Sequence, residues 1–224
     1  MNKAIVACSL TIISLVYTSC THLYIYSYGV RNPKTETSSS IISYLQSKQL
    51  NTKDSYALRD SIALRVFHEN GISMPEIQFF DKNGYLMIYR DEKRCNDQND
   101  SLISFLDPKN IVKIDSSNNI HDYINQLRTL EGNVVSGDEF KNSDYYLIMY
   151  WAKWLGKVNS IKMRDWEKTI SKKDNLKLKT IKVTTDYMDF WHVPKNEMVK
   201  VYSFRTKITD KKKEREQENA DGKK

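Results

Sequence analysis

Thiol chemistry needs a cysteine able to ionise, and this chain has three: Cys8, Cys20 and Cys95. Cys8 and Cys20 lie in or beside an apolar N-terminal run. Only Cys95 falls in the body of the chain, after the charged stretch Arg90-Asp91-Glu92-Lys93-Arg94. A lone thiol closes no internal disulfide. Cys95 is therefore a candidate for monothiol exchange or redox sensing, set against the plainer reading of a half-buried structural cysteine. Metal chemistry has less to work with. His22, His68, His121 and His192 are scattered, and Asp186, Asp189 and His192, three apart, lack a fourth ligand, so they read as solvated loop residues. Seven glycines leave little material for a phosphate-cradling loop, and no Gly-x-Ser-x-Gly elbow exists for a serine nucleophile. The densest cluster of unusual residues is Tyr150-Trp151-Ala152-Lys153-Trp154-Leu155-Gly156-Lys157-Val158. It holds two tryptophans three apart and a glycine at the start of a helix, but no acid, histidine or thiol.

The elements that position this segment follow from the apolar pattern. Tyr145 to Trp151 is a continuous apolar run of strand length, as expected of a strand buried on both faces. Lys157 to Ser171 is a helix whose spacing predicts an inner face of Val158, Ile161, Met163, Trp166 and Ile170. Leu178 to Val183 is the next strand, and strand, helix and strand in this order make a parallel βαβ unit. Upstream, Leu58, Ile62 and Val66 at four-residue spacing predict a helix over Tyr56 to Asn70, capped by Asp54 and stopped by Gly71. Ile77 to Phe80 and Tyr85 to Tyr89 flank Asp81-Lys82-Asn83-Gly84, a hairpin in which Asn-Gly supplies positive φ. Asp100 to Leu106 reads as a short helix. Ile120, Tyr123, Ile124 and Leu127 predict another, capped by Asn118 or Asn119 and ended near Gly132. Met198 to Phe204 reads as a final edge strand.

Composition bounds the rest. At 224 residues with 40% apolar content, the chain suits one main domain plus a leader and a tail. Its formal charge is +7, but Lys and Arg alternate with Asp and Glu along most of the length and form no stripe, which argues against nucleic acid as a partner. The N-terminus has a positive start at Lys3, a compact apolar run from Ala4 to Val16, and then the small residues Thr18 and Ser19 before Cys20. A run this short suits a signal peptide rather than a spanning helix. Gly29 to Ser40 is polar and turn-prone, with a short helix expected from Ile41 to Leu50. Thr206 to Lys224 is almost wholly charged and reads as a solvated tail.

Two resemblances carry the functional reading. Leu15-Val16-Tyr17-Thr18-Ser19-Cys20 resembles a bacterial lipoprotein signal, departing from the pattern at Tyr17, where leucine is usual. The resemblance implies cleavage before Cys20, acylation of that cysteine, and a membrane-anchored lipoprotein of the bacterial cell envelope facing the periplasm or cell surface. The alternative is an ordinary secreted protein cut near Ser19. The expected organisation is a signal peptide over 1–19, a tether and short helix over 20–50, an α/β domain over 51–205 and the charged tail over 206–224.

Residues Trp151 to Val158 resemble the thioredoxin active-site turn, Trp-Ala-x-Trp-Cys-Gly-x-Cys. Leu155 and Val158 stand where the cysteines belong, and Met149 stands where the family carries a buried acid. Asp144 to Asp186 looks like the first half of that fold, and Ala57 to Leu106, with Met74-Pro75 opening a strand, looks like the second half. The expected fold is an α/β thioredoxin-like sheet flanked by helices with its halves circularly permuted; two independent α/β pieces, or a likeness confined to the second half, are the alternatives. The resemblance implies a cis Met74–Pro75 bond near the turn. It also implies no dithiol oxidoreductase activity, and a partner-binding surface for a protein or peptide at Trp151, Trp154, Leu155, Lys157, Val158 and Pro75; from the residues themselves no cofactor or metal is expected.

Overall fold

A computed structural model describes residues 27–70, 74–88, 113–140, 142–172 and 176–198. Among them, helices lie on both faces of a seven-stranded mixed sheet. In chain order the elements are β1 (Thr35–Glu36), α1 (Ser38–Ser47), β2 (Ser55–Leu58), α2 (Ser61–Glu69), β3 (Glu76–Phe80), β4 (Tyr85–Ile88), β5 (Lys113–Asn119), α3 (Ile120–Ile124), β6 (Leu127–Thr129), β7 (Tyr145–Trp151), α4 (Lys157–Ile170), β8 (Leu178–Thr184) and β9 (Tyr187–Met188). The sheet order is β5-β4-β3-β7-β8-β2-β6, with β1 and β9 forming a separate parallel pair. β7 is central, antiparallel to β3 and parallel to β8. β2 runs parallel to β8, and β6 closes that edge antiparallel to β2.

The apolar run of β7 makes this arrangement possible. Side chains alternate across a strand, so Leu147, Met149 and Trp151 enter the layer under α1 and α4, while Tyr146, Ile148 and Tyr150 enter the layer under α2 and α3. Each fully buried large apolar side chain contributes roughly 1.5–3 kcal/mol. A strand apolar on both sides therefore gains stability only at the centre of a three-layer structure.

The hairpin between β3 and β4 forms as expected, but by a different device. Only Gly84 takes positive φ, at 82°, and the Asp81 carboxylate secures the turn by accepting from the backbone N–H groups of Asn83 at 2.9 Å and Tyr85 at 2.8 Å. The Met74–Pro75 bond is cis.

Several expectations are corrected. The helix predicted from Tyr56 begins at Ser61, and its cap is Asp60, whose Oδ1 accepts from the N–H of Ala63 at 2.8 Å; Asp54 instead holds Lys179. Tyr56, Ala57 and Leu58 are buried in β2, between β8 and β6. The helix opened by Asn119 ends at Ile124, and Leu127 turns into β6. The short helix at Ile41 starts at Ser38, with a Thr37–Ser40 capping box, and is no part of a free tether: Ile41 and Leu45 are fully buried in the core beneath it. Ile161 is 48% exposed, and Asn159 and Ser160 take the inner positions of α4 beside Met163 and Trp166. The expected helix at Asp100–Leu106, the strand beyond Met198, Cys20 and Cys95 lie outside the described residues.

Candidate functional site

β7 ends at Trp151, Ala152 leads into a single 3-10 turn over Lys153–Leu155, and Gly156 starts α4. The turn is shaped by groups from three distant parts of the chain. From the end of β8, Asp186 Oδ2 accepts from the backbone N–H of Lys153 at 2.6 Å and from the Thr184 hydroxyl at 2.7 Å. From β1, Glu36 Oε2 accepts from Lys153 Nζ at 2.7 Å and from the Ser40 hydroxyl at 2.6 Å. From α1, Tyr44 stacks on Trp151 with ring centroids 5.6 Å apart, and its hydroxyl donates to the Gly156 carbonyl at 3.0 Å. Within α4, the Asn159 side-chain amide donates to the Ala152 carbonyl.

This network is buried and charged. Glu36 is 4% exposed and Asp186 1%. Burial pushes the Asp186 carboxyl up to about 6; the nearby Glu36 charge adds to the rise, and hydrogen bonds from the backbone of Lys153 and Trp154 and from Thr184 oppose it. Burial, with the Asp186 charge behind it, raises the Tyr44 hydroxyl to about 12. A carboxylate enclosed by three donors holds the turn in shape; it is not open to a substrate. Asp186 corrects the reading of the Asp186, Asp189 and His192 trio as solvated. Only Asp189 and His192 are exposed, and no group of three or more metal-ligating side chains comes together among the described residues.

The chain covers its own turn. The Arg31 N–H donates to the Trp154 carbonyl at 2.8 Å. Gly156 sits at φ 61°, and a Cβ placed on it would lie 2.3 Å from the Tyr28 carbonyl oxygen and 2.5 Å from that of Gly29. Only glycine lets residues 28–31, here termed the strap, lie this close. The strap then continues through Pro33 into β1, which pairs with β9 just beyond Asp186.

The predicted site residues separate accordingly. Trp151 is core, 1% exposed, with its indole N–H buried and unpaired. Met149 is fully buried and apolar. Trp154, Leu155 and Val158 are half-buried at the turn, and Lys157 is exposed. Pro75 is buried at the head of β3; next to it, Met74 Sδ accepts from the Thr185 hydroxyl, whose own backbone N–H bonds the Trp151 carbonyl. The turn and the Met74–Pro75 bond thus meet at one end of the sheet. Sequence reasoning missed Glu36, Tyr44 and Asn159. One signal was present: Glu36 is the single carboxylate between Thr21 and Lys53.

A polar cleft of about 440 Å³ opens at the far end of α4, lined among others by Lys53, Arg164, Glu167, Lys168 and Lys182. Its buried Lys182 pairs with Glu167 at 3.1 Å.

Comparison of the chain with models of known protein families, with curated proteins and with solved structures found no match.

Proposed function

We propose that this protein is a non-catalytic lipoprotein of the bacterial cell envelope, anchored through Cys20. Its thioredoxin-like domain, with the two halves in permuted order, binds a protein or peptide partner at the turn. The sheet order supports the fold. β7, α4 and β8 form one parallel βαβ unit, and the β3–β4 hairpin joins it through β3, antiparallel to β7. The hairpin precedes the βαβ unit in the chain, which is the permuted sequence of halves.

The observation that carries the functional reading is the combination at the helix start. Leu155 and Val158 occupy the two positions where thiols would have to be. A helix N-terminus lowers the pKa of a thiol placed there, but neither of these side chains can ionise or close a disulfide. The turn is nevertheless held by Asp186, Glu36 and Tyr44, and its Trp154 carbonyl accepts the N–H of Arg31 from the strap. A turn held in shape by buried polar groups, with no ionisable side chain at positions 155 and 158, fits binding rather than exchange. The half-buried Trp154, Leu155 and Val158 with Lys157 offer the contact surface.

A photo-reactive residue replacing Trp154 in cells, compared with one replacing Lys168 at the far end of α4, tests this. The reading expects a discrete protein adduct from position 154 and none from 168. Equal labelling from both positions, or none from 154, contradicts it.

A further inference from the structure

We infer that the polar cleft at the far end of α4 is a binding site for a small hydrophilic dianion, a phosphate monoester or a dicarboxylate, held by Lys53, Arg164, Lys168 and Lys182. The cleft lies at the opposite end of α4 from the turn, and its ligand is separate from the partner proposed there. Two walls and a floor make it. Arg164, Glu167 and Lys168 stand at i, i+3 and i+4 on one face of α4. The loop between α1 and β2 supplies Asn51, Lys53 and Asp54 opposite. Lys182 is the floor: it pairs with Met149 across β8 and β7, so its side chain enters the layer under α4.

The charges of the cleft do not cancel. A lysine is almost never as buried as Lys182, at 3% exposed, unless it is paired. Its Nζ donates to Glu167 Oε1 at 3.1 Å and to the Asn51 carbonyl, which leaves one of its three N–H groups without an acceptor among the described residues. Burial holds its pKa below that of an ordinary lysine, although the Glu167 and Asp54 charges pull the other way. A buried ammonium in this position gains from one more anion. Asp54 is itself paired with Lys179 at 2.7 Å. Lys53, Arg164 and Lys168 are exposed at the rim, and none of them forms an ion pair with a described residue. The wall thus carries four cations and two carboxylates, and each carboxylate already has a lysine. An excess of two positive charges suits a dianion.

The wall also narrows the ligand. A volume of about 440 Å³ falls within the range of small-molecule sites. Among the described residues, Ile170 is the only apolar side chain lining it, and no aromatic ring does. An acyl chain or a nucleobase therefore finds no surface to pack on. Arg164 brings a planar fork of donors suited to the paired oxygens of a phosphate or a carboxylate.

The test titrates the isotope-labelled mature chain carrying Cys20→Ser with inorganic phosphate, with malonate and with acetate, at mildly alkaline pH and constant ionic strength. Amide shifts in the magnetic resonance spectrum locate each ligand. Phosphate, malonate or both are expected to give saturable shifts centred on residues 51–54, 164–171 and 182, with acetate weaker by about tenfold or more. Saturation by phosphate alone assigns the phosphate class, and by malonate alone the dicarboxylate class. Arg164→Gln/Lys168→Gln is expected to weaken binding about tenfold or more. Arg65→Gln/Lys82→Gln removes the same charge from exposed residues of α2 and the β3–β4 turn, and is expected to change it less than about threefold. Unchanged unfolding midpoints in both variants confirm that the fold is kept. No saturation by either dianion, acetate binding as tightly as they do, shifts centred elsewhere, or equal losses in the two variants overturn the proposal.

Discussion

The backbone N–H of Lys153 donates to the buried carboxylate of Asp186 at 2.6 Å. The same residue's Nζ donates to the buried carboxylate of Glu36 at 2.7 Å. One residue of the turn is thereby fixed to the end of β8 by its main chain and to β1 by its side chain, and the shape of the turn depends on groups far from it in sequence.

Asp186 gives the fold a pH dependence of defined sign. Its carboxyl is pushed from an ordinary 3.8 up to about 6 in the folded state by burial and, to a smaller degree, by the Glu36 charge, against the lowering effect of the bonds donated by Lys153, Thr184 and Trp154. The folded state holds the proton more tightly. This contribution to stability is therefore complete below about pH 4 and is lost as pH rises through about 6, by of order 3 kcal/mol. Urea unfolding from pH 5 to 8 checks it: Asp186→Asn, which cannot titrate, is expected to gain relative to the parent at the high end. A difference between the two that does not vary with pH contradicts the assignment.

The Lys153–Glu36 pair is asymmetric, with side chains 23% and 4% exposed. Lys153→Met leaves the buried Glu36 carboxylate with only the exposed Lys34 ammonium, at 3.8 Å, and the Ser40 hydroxyl, and is expected to cost about 3 kcal/mol. Glu36→Gln leaves the more exposed ammonium nearer water and is expected to cost about 1 kcal/mol. Denaturant unfolding of both variants and of the double variant measures the coupling. Equal single costs with no coupling contradict the clamp.

Gly156→Ala places a methyl group 2.3 Å from the Tyr28 carbonyl oxygen at a positive φ. Strain and strap displacement together are expected to cost about 2 kcal/mol. Trypsin is expected to cut at Arg31 and Lys34 before the core, where the parent resists. Identical digestion patterns contradict a docked strap.

Trp151 stacks on Tyr44 and keeps an unpaired buried indole N–H. Trp151→Ala is expected to cost about 3–5 kcal/mol through the cavity it leaves. Trp151→Phe is expected to cost far less, since it removes the unpaired donor and keeps a ring. Calorimetric unfolding of the two variants checks the order, and equal costs contradict it.

The central βαβ unit was legible because β7 is apolar on both faces and α4 follows a glycine. β2 was not legible. Leu58, Ile62 and Val66 mimic one helical face, yet the spacing crosses a strand-to-helix boundary at Asp60, and Ile62 and Val66 are exposed. β6 hid in the same way, because Leu127 continues the spacing of Ile120 and Ile124 while pairing with β2. The candidate site was half legible. The tryptophans, Leu155 and Val158 mark the turn, but the groups that hold it are acids and amides, and Asp186 and Glu36 look like ordinary surface carboxylates until the fold buries them. Asn159 and Ser160 displaced Ile161 from the inner face because polar groups are needed there: Asn159 bonds the carbonyl of Ala152, and Ser160 lies against the Tyr44 hydroxyl.

The central claim is that the turn keeps its shape and has lost its chemistry. Insulin reduction by the purified mature chain with dithiothreitol as reductant, with and without Cys95→Ser, tests it most directly. The account predicts no rate above dithiothreitol alone for either protein. Catalytic turnover by the parent that disappears in Cys95→Ser would contradict it and make this protein a monothiol enzyme.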